Sequence, residues 1–138
     1  MGDPFRQRPV VKSRNGHRDG KTVLLVDDDL AVRSSLAFNL RTEGYSVRAY
    51  ATGRELLDDP DMPQQTCLVI DLRLPDIEGL KLIEQVRRRA ENRALPAILI
   101  TTNPSAAVRR RAEEAQVPIV EKPLITGTLF QRIHAAFP

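Results

Sequence analysis

The stretch TCLVIDLRLPDIEGL, Thr66 to Leu80, decides the fold. Cys67, Leu68, Val69 and Ile70 form a continuous apolar run, which reads as a strand buried on both faces, as in a parallel sheet. Asp71 stands at the carboxyl end of that strand, Pro75 and Gly79 punctuate a loop, and a helical pattern begins at about Leu80. Open α/β sheets hold ligands outside the carboxyl ends of their strands, so Asp71 is a candidate for chemistry. The plainer role for an aspartate there is a turn or helix cap.

Working outward, the same grammar repeats on both sides. Thr22 to Val26 is a second apolar run that ends in Asp27, Asp28 and Asp29. Val32, Leu36, Ala37 and Leu40 then recur at helical spacing, with Asp29 as N-cap and Gly44 as stop. Residues 45–50 read as a short strand and 53–57 as a brief helix. Beyond the central stretch, Leu80, Ile83 and Val86 form the apolar stripe of a helix that closes with Arg87, Arg88 and Arg89, read as a solvated face that suits the helix dipole. Ala97 to Ile100 is a fourth strand running into Thr101 and Thr102. Residues 105–115 are helix-compatible but polar, so that helix is expected to pack lightly. Ile119 and Val120 make a very short fifth strand ending at Glu121, Lys122 and Pro123, and Leu129, Ile133, Ala136 and Phe137 mark a final helix with Thr126 as candidate N-cap.

The bulk numbers suit this reading. At 138 residues the chain can bury one core without disulfides, and 41% hydrophobic with 28% charged residues is ordinary for a globular protein. No apolar run approaches membrane-spanning length, and the basic start lacks the apolar segment of a secretory signal. With one cysteine, Cys67, read as a small core residue, a reducing cytoplasmic setting is expected. Residues 1–21 carry six basic side chains against two acidic ones, a balance of +4, while the remainder carries −1. This segment is read as a disordered, solvated tail in preference to a nucleic-acid-binding arm, since it lacks interleaved aromatics.

Alternating strands and helices imply right-handed crossovers and a doubly wound parallel sheet with helices on both faces. One edge then collects Asp27, Asp28, Asp71, Thr101 and Lys122. Three crowded carboxylates repel one another, and a hard divalent cation relieves this; Mg²⁺ is the expected ion. Phosphoryl transfer needs a nucleophile and neutralisation around the transferring oxygens, roles open to Asp71, the metal, Lys122 and Thr101.

The motifs VLLVDDD, VIDLRLPDIEG, ILITT and VEKPL, in this order over about Thr22 to Phe137, resemble the receiver domain of two-component response regulators, especially the FixJ-like branch. The resemblance implies a flavodoxin-like, CheY-like five-stranded fold of order 2-1-3-4-5 for residues 22–138. It further implies that Asp71 is the phosphoacceptor, that Asp27 and Asp28 hold Mg²⁺ with Asp71 and the backbone carbonyl of Arg73, and that Thr101 and Lys122 contact the phosphoryl group. The bond preceding Pro123 matches one that is cis in the family. Two departures stand out. Ile119 occupies a switch position that is usually Phe or Tyr, and Thr102 one that is usually Ala or Gly. The implied partners are a sensor histidine kinase or phosphotransfer protein, a downstream protein target or output domain, and a second copy through the face of the fourth helix, fifth strand and fifth helix. No nucleic acid or membrane partner is expected within this chain. A complete chain would be a stand-alone receiver, and a fragment would continue past residue 138 into a helix-turn-helix output domain. The enzyme alternative, a Mg²⁺-dependent phosphohydrolase with an aspartyl nucleophile, expects a second Asp two residues after the first, where this chain has Arg73.

Overall fold

The computed structural model describes residues 20–124 and 126–137. The tail reading falls on residues that lie outside this range, except that Lys21 already belongs to the first strand. Five strands and five helices alternate: β1 (Lys21–Val26), α1 (Leu30–Thr42), β2 (Ser46–Tyr50), α2 (Gly53–Asp58), β3 (Gln65–Asp71), α3 (Gly79–Arg89), β4 (Ala97–Thr101), α4 (Ala106–Glu114), β5 (Ile119–Glu121) and α5 (Thr126–Ala136). The sheet is parallel throughout with order β2-β1-β3-β4-β5, the expected doubly wound arrangement. Thr126 opens α5 as its first residue.

Because successive side chains of a strand point to opposite faces, the central strands feed two cores. Val23, Leu25, Cys67, Val69, Ile98, Ile100 and Val120 pack with Leu36 and Leu40 of α1 and Leu129 and Ile133 of α5. Leu24, Val26, Leu68, Ile70 and Leu99 pack with Leu56 of α2, Leu82, Ile83 and Val86 of α3, and Ala112 of α4. Cys67 is fully buried, as a small core residue should be, and burial pushes its thiol up to about 12. Helix ends follow the local signals. Asp29, Thr52 and Ser105 each accept an amide of the first turn of α1, α2 and α4, and Gly44 turns the chain after α1 with φ of 101°.

The three arginines after Val86 do not share the one solvated face that their charge suggests. Arg88 and Arg89 are exposed, but Arg87 is buried, with Nε donating to the Leu95 carbonyl (2.9 Å) and Nη1 to the Ala115 carbonyl (2.6 Å). Burial pushes its pKa down, so the charge is held at some cost. Arg87 lies in the last turn of its own helix and against the C-cap residue of α4, so the negative ends of two helix dipoles offset that cost. It pins the lower end of α4 to α3.

Candidate functional site

The carboxyl ends of β1, β3 and β4 bring the expected residues to one edge. Oxygens of Asp27, Asp28 and Asp71 all lie within 4.8 Å of one another. Asp27 and Asp71 are buried and Asp28 is exposed, so the cluster opens to solvent on the Asp28 side. Lys122, just past β5, reaches in between: its Nζ lies 3.3 Å from Asp27 Oδ2 and 3.2 Å from Asp71 Oδ2. The Lys122 amide donates to the Thr101 carbonyl (2.9 Å), which ties the end of β4 to the lysine, and Thr101 itself is buried. The Arg73 amide donates to Asp71 Oδ1 (3.2 Å) and the Asp29 amide to Asp27 Oδ1 (2.9 Å). The Lys122–Pro123 bond is cis, as expected.

The electrostatics are those of crowded, partly buried carboxylates. Burial raises the pKa of Asp27, the like charge of Asp71 adds to the rise, and neither the Asp29 amide nor Lys122 cancels it. For Lys122, burial works downward but the two carboxylates outweigh it, and its pKa rises. Among the described residues Asp27 Oδ2 is buried without a hydrogen-bond partner, with the Lys122 charge 3.3 Å away. A buried, orphaned carboxylate oxygen beside two other carboxylates fits a hard, oxygen-preferring dication such as Mg²⁺.

Several neighbours of the site escape a reading by motif alone. The loop between Asp71 and α3 folds back on itself: Arg73 and Glu78 pair as an antiparallel bridge, and the Gly79 amide donates to the Leu72 carbonyl (2.8 Å). A Cβ at Gly79 would collide with the Asp71 carbonyl and fall 2.8 Å from Leu72 Cα, so this close approach requires glycine. Asp76 accepts the amides of Gly53 (3.1 Å) and Arg54 (2.8 Å), closing α2 from another part of the chain. Glu78 takes both Nη atoms of Arg111 on α4, at 2.9 and 2.6 Å. Arg33 on α1 donates to the Asp27 carbonyl (2.8 Å) and steadies the acidic turn. Ile119 is half-buried against the α3 and α4 side of the core, and Thr102 is exposed.

A five-stranded sheet of this order with an acidic cluster and a lysine at its carboxyl edge defines the CheY-like, flavodoxin-like class. The family model of the response regulator receiver domain matches residues 23–134, and the chain belongs to that family of two-component signalling domains. Response regulator MprA of Mycolicibacterium vanbaalenii is 33% identical over 114 residues, which cover 82% of this chain and 48% of that protein. This chain therefore spans about half the length of the curated relatives it matches. Among solved structures, the CheY-like receiver domain protein of Methanospirillum hungatei aligns with a TM-score of 0.75 at 28% identity, over 83% of this chain and 91% of that one. FixJ-N aligns with a TM-score of 0.73 at 31% identity, over 84% and 92%. Among the described residues, no helix is long and apolar enough to cross a membrane.

Proposed function

We propose that Asp71 accepts a phosphoryl group from a phosphohistidine of a sensor kinase or phosphotransfer protein, and that the resulting acyl phosphate changes which proteins this chain binds. An Asp71 oxygen attacks phosphorus in line; the O–P bond forms as the N–P bond breaks, and the donor imidazole leaves with the bonding pair. The single observation that carries the reading is Lys122 Nζ held between Asp27 and Asp71, where it can follow charge from the carboxylate to the phosphoryl oxygens. Thr101, buried at the neighbouring strand end, supplies a hydroxyl for one of those oxygens. Asp27, Asp28, Asp71 and the Arg73 carbonyl are the groups that would hold Mg²⁺, which when bound neutralises phosphoryl oxygens. A cytoplasmic setting and an output partner or domain follow from this reading.

Incubation with acetyl phosphate and Mg²⁺ should add one phosphate by intact mass. Asp71→Asn should abolish the addition, and a variant labelled at the wild-type level would overturn the assignment. Chelation with EDTA should stop labelling, and Asp28→Ala should weaken Mg²⁺ binding measured by titration.

A further inference from the structure

We propose that Glu78 and Arg111 form the positioning pair through which α4 follows the state of Asp71, in place of the aromatic side chain that position 119 lacks. This rests on the reading of Asp71 as phosphoacceptor and concerns how that event is transmitted.

The path consists of contacts in hand. Asp71 Oδ1 accepts the Arg73 amide, Arg73 pairs with Glu78 across the folded-back loop, and Glu78 grips Arg111 with both oxygens. Glu78 occupies the N-cap of α3 yet makes no side-chain cap hydrogen bond there; its carboxylate is committed to Arg111. A bidentate guanidinium–carboxylate contact fixes direction as well as distance, so a shift of the loop carries α4 with it. Arg111 in turn holds the Glu78 carboxyl below the usual carboxylate range, so the pair stays charged at neutral pH.

A second leg starts from the other Asp71 oxygen. Oδ2 contacts Lys122, whose neighbour Glu121 takes Arg109 of α4 at 2.9 Å. Arg109 and Arg111 are two residues apart, roughly 200° around a helix, so the two legs hold α4 from opposite sides. The second leg is half exposed at both ends and weakly coupled, whereas the first is less exposed and bidentate. Phosphorylation changes both starting points, since Oδ1 and Oδ2 are the atoms that react or give up partners. The helix they steer buries only Ala112, so little packing opposes its movement. Ile119 has no polar atom and few χ1 choices, and it reaches neither leg by a hydrogen bond. By contrast, Asp76 ties the same loop to α2 through backbone amides, which leaves Glu78 as the end free to transmit.

The test uses the full chain with Arg111→Ala, Glu78→Gln, the charge exchange Glu78→Arg with Arg111→Glu, and Ile119→Ala. Amide shifts of residues 106–114 are recorded before and after Mg²⁺ with beryllium fluoride, and acetyl-phosphate labelling is followed by intact mass. Each single cut should leave labelling at the wild-type level and reduce the α4 shift changes by roughly half or more, with recovery in the charge exchange. Ile119→Ala should leave the α4 response in place. Because coupling is reciprocal, Arg111→Ala should also move the Arg73 and Asp71 amides in untreated protein, a readout that stands even if Asp71 proves not to be the acceptor. An undiminished α4 response in Arg111→Ala, unmoved Arg73 and Asp71 amides, or loss of the response in Ile119→Ala would each overturn the proposal.

Discussion

Helices α3 and α4 stand in equivalent places, each following a strand whose last residue belongs to the acidic edge, yet they are attached by different physics. Helix α3 buries Leu80, Leu82, Ile83 and Val86, and closes on β3 through Gly79. Helix α4 buries Ala112 alone and is held by Arg111 to Glu78, Arg109 to Glu121, and Arg87 at its far end. Apolar burial is non-directional and hard to undo locally, whereas ion pairs near the surface are worth little and depend on where their partners sit. The helix after β3 is thus anchored by burial, and the helix after β4 is held by ion pairs that depend on where their partners sit.

The largest effect that tests this contrast is truncation of the packing itself. Leu82→Ala should cost about 3 kcal/mol in urea unfolding, and Val108→Ala on α4 no more than about 1 kcal/mol. Equal losses would break the comparison. Next, Arg87→Met should cost about 2 kcal/mol because the Leu95 and Ala115 carbonyls lose a charged donor, while Arg88→Met stays within about 0.5 kcal/mol. Native-state hydrogen exchange should then show α4 amides opening well below the global unfolding free energy and α3 amides close to it. Alkylation of Cys67, fully buried with its thiol pushed up to about 12, supplies the global reference in the same sample. Labelling of Cys67 as fast as α4 exchange would show that the molecule does not open in parts. The smallest effect is Glu121→Gln, which removes an exposed pair and should change stability by no more than about 0.5 kcal/mol.

Much of this architecture is legible in the chain. Four short apolar runs and one alternating stretch, separated by helical periodicity, specify a parallel sheet, and such a sheet collects Asp27, Asp28, Asp71 and Lys122 without any knowledge of distances. The light packing of α4 follows from its polar composition. Arg87 was open to the same reasoning, since it lies four residues after Ile83 and seven after Leu80, on the apolar stripe. Its charge, shared with Arg88 and Arg89, points to a solvated face, whereas its spacing points to the buried one, and spacing wins.

The order of elements and the edge where the carboxylates meet are written in the chain, because hydrophobic period and strand-end position are local properties. Packing in three dimensions is what turns Glu78 from capping α3 to Arg111, 33 residues away, sets Asp76 to close α2, and leaves one oxygen of Asp27 buried without a hydrogen bond among the described residues. Those outcomes depend on where separate helices pack on the sheet, and a side chain selects its partner only after packing has set the distance between them.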